Sequence, residues 1–140
     1  MTNGFRIAIG TGPGEIDRVH AAFAAFAEAH VLPAPVRRSL SVALDEILTN
    51  TTAHGFGGRA GGAVTVEAEL QADRVSVTIS DDGKPFDPIG VAAPDTALPL
   101  AERPVGGLGL HLVRGLLDEV SYERRGDRNV VVLAKRLPAT

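Results

Sequence analysis

In the stretch "LDEILTNTTAHGF", which spans 44–56, Glu46, Asn50 and His54 recur every four residues. Side chains four apart share one face of an α-helix. A carboxylate, an amide and an imidazole would then line up beside the apolar face made by Leu40, Ala43, Leu44, Ile47 and Leu48. Such a line is either the solvated flank of an amphipathic helix or one wall of a site, with all three groups aimed at one ligand. A second polar cluster is "SDDGKPFDP", 80–88, at the end of a strongly alternating segment. Asp and Gly are the usual residues of a plain turn. A carboxylate fixed at a strand end could also accept a hydrogen bond from an exocyclic amine, such as that of adenine, and a following glycine lets a flat ring approach the backbone. The third cluster is "GGLGL", 106–110. It reads either as a simple helix start or as a place where backbone amides converge on an anion at the positive end of a helix dipole. Neither a GxGxxG fingerprint after a strand nor a GK[ST] phosphate loop is present.

The elements that must position these clusters follow from periodicity. Residues 5–10 alternate as a short strand, and "GTGPG" ends it. Val19, Ala22, Phe23, Phe26 and Ala27 recur at helical spacing within 15–30, with Glu15 and Asp17 at the favourable N-terminal end. "LPAP" breaks the chain, Pro35 suits the first turn of a second helix running to about His54, and "GFGGRAGG" ends that helix. "AVTVEAEL" and "RVSVTISD" alternate with period two and read as a hairpin joined by "QADR". From 84 to 106 the period dissolves, as in a lid or a disordered segment. "GGLGLHLVRGLLDEV" restarts as a helix, and "VSYER" and "RNVVVLAKRL" form a strand pair whose connecting "RGD" is a hairpin turn rather than an adhesion motif. The order predicts an α+β fold, a two-layer sandwich of a mixed, largely antiparallel sheet with helices on one face.

The 140 residues suffice for one domain with one substantial core, here expected to be a single unit over 1–140. A net charge of −3 gives no electrostatic reason to bind nucleic acid. With no cysteine, thiol catalysis, thiolate metal sites and disulfides are excluded. The start "MTNGFRIAIG" lacks the features of a secretory signal, and no segment has the roughly 18 unbroken apolar residues of a membrane span. The expectation is a cytoplasmic protein.

Taken together and in this order, the clusters resemble the boxes of the GHKL ATPase superfamily, which includes gyrase, a heat-shock chaperone, histidine kinases and mismatch-repair proteins. "DEILTNTTAHGF" is similar to the N box, "DDGKPFDP" to the first glycine box and "GGLGLHLV" to the second. The wording "DDGKPFDP" followed by "GGLGLHLVRGLLDEVSYE" resembles the small stand-alone anti-sigma factor serine kinases most. The resemblance implies a Bergerat-type fold with ATP and Mg²⁺ as cofactors. It places Asn50 on the metal, Glu46 near the terminal phosphate as general base, Asp81 on the adenine amine with Gly83 allowing close approach, and Gly107, Gly109 and Leu110 at the phosphates. Asp82 would face solvent. His54 matches a position often held by histidine in the anti-sigma kinases, its alternative being to close the helix end. Arg103, the only cation between Asp87 and Gly106, is either a phosphate contact or a solvated lid residue.

Two departures stand out. Ala53 occupies the place where many histidine kinases carry a lysine, which argues against an autonomous histidine kinase. The late strand "RNVVVLAKRL" has no threonine to support the adenine-binding Asp, a role that a water could fill. By resemblance the chain is an ATP-dependent protein serine/threonine kinase. It would bind a sigma factor and phosphorylate an anti-anti-sigma antagonist protein to control the factor's release, as a homodimer joined through its early strand and helix. The alternative is a non-catalytic module in which nucleotide orders the lid and selects between partners.

Overall fold

The computed structural model describes residues 3–52, 62–85 and 114–138. In chain order these form β1 (Gly4–Ile9), α1 (Glu15–Ala29), α2 (Ala34–Asn50), β2 (Val64–Leu70), β3 (Arg74–Asp81), β4 (Glu119–Arg125) and β5 (Arg128–Arg136). The strands make one sheet in the order β1-β2-β3-β5-β4, and each neighbouring pair is antiparallel. The expected α+β sandwich is therefore what forms. Among the described residues, no helix is long and apolar enough to cross a membrane.

The alternation seen in the sequence sets the two faces of the sheet. Val64, Val66 and Ala68 of β2, Val75, Val77 and Ile79 of β3, and Val131 and Leu133 of β5 point to one side and are buried. Against them pack Val19, Phe23 and Phe26 of α1 and Leu40, Leu44, Ile47 and Leu48 of α2, all in the same core cluster. Each of the valine, isoleucine, leucine and phenylalanine side chains contributes about 1.5–3 kcal/mol by leaving water, less what is lost in conformational entropy. Phe26 lies edge-on to Phe5 with ring centres 5.6 Å apart, which fastens α1 to β1. At Gly4 the same strand runs so close to β2 that an added Cβ would collide with the carbonyl oxygen of Ala68, so only glycine fits.

Three local devices shape the joints. The Glu15 carboxylate accepts from the Gly10 amide (2.9 Å) and pairs with Arg18 (3.0 Å), tying the turn after β1 to the start of α1. The Gly10 hydrogen bond, then Arg18, hold its carboxyl below the ordinary value. The β4–β5 hairpin closes through Gly126 and Asp127, with Gly126 at a φ of 58°, so the "RGD" is indeed a hairpin turn. Of segment 106–120, expected to be helical throughout, 106–113 lie outside the described residues, 114–116 are helical and Glu119 and Val120 are already strand. The reason lies at Asp118, whose amide donates to Ala134 O (2.9 Å) and whose carboxylate accepts from Arg136 N (2.7 Å), capturing the chain as β4.

The end of α1 breaks a local rule. Val31 N donates to Glu28 O (3.2 Å) and Leu32 N to Ala27 O (2.9 Å), the paired bonds of a Schellman cap. The residue that turns left-handed in that cap is usually glycine, but here it is Val31, at a φ of 50° and with 83% of its surface exposed. A β-branched residue pays conformational strain there and recovers no packing. We expect Val31→Gly to raise thermal stability by about 1 kcal/mol, the net of relieved strain and glycine's greater entropy loss. A lower unfolding midpoint for the variant would contradict this account of the cap.

Candidate functional site

The last two turns of α2 carry the first part of the site. Heptad-like burial of Leu40, Ala43, Leu44, Ile47 and Leu48 fixes the helix's rotation on the core, and that rotation places Glu46 half-buried and Asn50 buried. Asp45 beside them is exposed and contacts His20 of α1, Oδ1 to Nε2 at 3.1 Å. Burial pushes the Glu46 carboxyl above its ordinary value, the charge of Asp45 pushes it the same way, and the Asn50 amide pulls it partly back. Although Asn50 lies near enough to exert that pull, its Nδ2 is buried with no acceptor in hydrogen-bonding geometry among the described residues. A buried amide left this way costs about 1–3 kcal/mol. Beyond Asn50, Thr51 and Thr52 continue with the wider π-type turn, a form common at functional sites.

The second part is a row across one end of the sheet. The strand register aligns Ile9, Val64, Asp81, Asn129 and Arg124 on β1, β2, β3, β5 and β4. Asp81 continues the inward face of Val75, Val77 and Ile79 and is 4% exposed, a carboxylate in a place where a valine would be ordinary. Its Oδ1 accepts from the Gly83 amide (2.9 Å), the bond of an Asx turn, and from Asn129 Nδ2 (3.0 Å). Gly83 is buried next to it. Asp82 is exposed, as expected, and accepts from the Ala63 amide (3.1 Å).

The structure thus places Glu46 and Asn50 on one helix end and Asp81 with Gly83 at one strand end. Gly107, Gly109 and Leu110, together with His54, Ala53 and Arg103, lie outside the described residues, as do residues 86–106 of the expected lid. Asn129 is not among the site residues expected from the sequence, where its strand "RNVVVLAKRL" stands out only for lacking a threonine. The available signal was an amide on the inward-facing positions of a valine-rich strand, where asparagine is disfavoured. As for a cation, no group of three or more His, Cys, Asp or Glu gathers among the described residues.

With this geometry in view, the comparisons with known proteins define the class. The family described as "Histidine kinase-like ATPase domain" matches residues 11–135, and the chain belongs to that family. Within it, the chain is 32% identical over 100 residues to the serine/threonine-protein kinase BtrW of Bordetella bronchiseptica, covering 71% of this chain and 70% of that protein. It is 34% identical over 85 residues to the serine-protein kinase RsbW of Listeria monocytogenes, covering 58% of this chain and only 54% of that protein. An anti-sigma F factor of Clostridium beijerinckii is 31% identical over 100 residues, 69% of this chain and 68% of that protein. The fold matches a crystal structure of RsbU and RsbW domains from Mycobacterium tuberculosis with a TM-score of 0.70 at 17% identity, over 97% of this chain and 33% of that one.

Because Asn50 is a buried polar group without a partner among the described residues, an apolar side chain of the same shape should be tolerated by the empty fold. Asn50→Leu is expected to keep or raise the unfolding midpoint of the ligand-free protein. A fall of more than a few degrees would mean that the amide is fully satisfied in the folded chain.

Proposed function

We propose that the protein is an ATP-dependent serine/threonine kinase of the anti-sigma type, which binds ATP with Mg²⁺, holds a sigma factor and phosphorylates an anti-anti-sigma antagonist to govern the factor's release. The observation that carries the kinase reading is one helix end presenting a half-buried, raised-pKa carboxylate, Glu46, one turn before the buried amide of Asn50. The names of the relatives, serine/threonine kinases and an anti-sigma factor, supply the substrate class.

The donor set suits Mg²⁺, which takes few protein ligands and fills its shell with phosphates and water. Half a turn of the Asn50 amide exchanges Oδ1 for the unpartnered Nδ2 position at no cost in shape, so Asn50 can offer a ligand oxygen. When bound, the ion neutralises charge on the transferred phosphoryl group. Asp81 accepts from the adenine amine, and Gly83 leaves room for the ring. Glu46 takes the proton from the acceptor's serine or threonine hydroxyl. The oxygen of that hydroxyl bonds to the γ-phosphorus, the bond from the γ-phosphorus to the bridging oxygen breaks, and ADP leaves with that electron pair. A base that is more basic than an ordinary glutamate retains more driving force for this step. β1, at the edge of the sheet, would join α1 in meeting a second copy.

Calorimetry with ATP, with and without Mg²⁺, and label transfer from ATP to a purified anti-anti-sigma antagonist test the reading. Glu46→Gln should bind ATP within about threefold of the parent yet lose transfer by roughly 10²- to 10⁴-fold. Undiminished transfer by this variant would remove Glu46 from the chemistry, and ATP binding without transfer by the parent would leave a nucleotide-gated binding module.

The pH dependence has a definite sign. Glu46 must be deprotonated to act, so kcat/KM rises with pH through a pKa lying above the ordinary glutamate value. Asp45→Asn removes one of the two raising causes, and the acid limb should move to lower pH. An unmoved limb would show that it reports another group.

A further inference from the structure

We propose that Asn129 is the positioning residue that orients Asp81 toward a nucleobase amine and so sets the preference for an amino purine. This rests on the nucleotide-binding reading above and adds to it a specificity determinant on β5.

Asn129 is 1% exposed and sits in register between Asp81 and Arg124. Both ends of its amide are in use. Nδ2 donates to Asp81 Oδ1 (3.0 Å) and to the Lys84 carbonyl (2.8 Å), while Oδ1 accepts from the Tyr122 hydroxyl (2.6 Å) and Arg124 Nη1 (3.2 Å). The orientation of this amide is dictated rather than free. A guanidinium can only donate, so the end facing Arg124 must be the oxygen, and the end facing two acceptors, a carboxylate and a carbonyl, must be the nitrogen. Flipping the amide would oppose like groups at both ends of a side chain that is itself buried.

The consequence for Asp81 is geometric. Among the described residues, both donors that reach it, Gly83 N and Asn129 Nδ2, fall on Oδ1. Two fixed bonds on one oxygen hold the carboxylate's rotation, and Oδ2 becomes the acceptor for an outside donor. An exocyclic amine satisfies it, whereas a keto oxygen at the same place would meet it lone pair to lone pair. The same group also holds the chain beyond β3, since Asn129 grips the Lys84 carbonyl and Arg124 Nη1 grips that of Gly83 (2.9 Å). One amide therefore sets both the acceptor's direction and the backbone wall beside it.

The test compares ATP with purine riboside 5′-triphosphate, which has the same ring and phosphates but lacks the amine, by calorimetric titration of the full chain. The parent should prefer ATP by about tenfold or more, as expected for a hydrogen bond to a charged acceptor. Asn129→Asp keeps the acceptor for Tyr122 and Arg124 but turns an oxygen toward Asp81. Arg124→Met keeps Asn129 and removes the donor that dictates its orientation. In Asn129→Asp the ratio of the two affinities should fall to about one while the amine-free analogue binds within about threefold of its affinity for the parent. In Arg124→Met the ratio should fall part of the way. If both ligands weaken in parallel, or if the ratio is unchanged, Asn129 only supports the fold and this inference is overturned alone. If the parent binds neither triphosphate, the nucleotide-binding reading falls, and this inference with it.

Discussion

A carboxylate cannot be buried at the end of a strand without donors to meet it, and the burial of Asp81 organises the sheet's functional end around that requirement. One donor comes from its own turn, through Gly83, and one from across the sheet, through Asn129. The second requires β5 to lie beside β3 in a register that opposes Asn129 to Asp81, and β4 to bring Arg124 and Tyr122 against Asn129 in turn. The order β1-β2-β3-β5-β4, in which a strand late in the chain inserts beside β3, thus does more than close the core. It supplies a carboxylate with a fixed direction.

The helix end carries the opposite arrangement. At Asp81 every polar need that the described residues reveal on Oδ1 is met, whereas Asn50 is held in the interior by the packing of Ile47 and Leu48 with its Nδ2 unpartnered among those residues. A satisfied network suits a group that must aim in one direction, and an unsatisfied one suits a group that completes its shell only with ligand. The raised pKa of Glu46 has the same origin, since the burial that orphans the amide also disfavours the nearby charge. Both features cost stability and are retained at the end of a helix whose other buried positions, Ser39 apart, are apolar.

What was legible in the sequence was whatever depends on periodicity. The hairpin of β2 and β3 alternates apolar and polar residues, and that period survives as burial throughout β3 and along β2 except at Thr65, which is buried as well. Glu46 and Asn50 were legible because four-residue spacing is itself geometry. Asn129 was not, because its role exists only in the pairing of β3 with β5, 48 positions apart in the chain, and no local pattern encodes that register. Val31 was likewise invisible, since propensity assigns a left-handed cap to glycine. The boundary before β4 is not legible locally, because "LLDEV" fits a helix as well as a strand and Asp118 bonding to β5 decides between them.

The central claim is that one nucleotide site spans the end of α2 and the Asp81 end of the sheet. Amide hydrogen exchange with and without ATP and Mg²⁺ tests it directly, because binding slows exchange where backbone is ordered or covered. The account predicts added protection together at 50–52, at 80–84 and at 128–130, three segments brought to the site from separate parts of the chain. Protection confined to one of them, or falling instead on β1 and the β2–β3 turn, would contradict it.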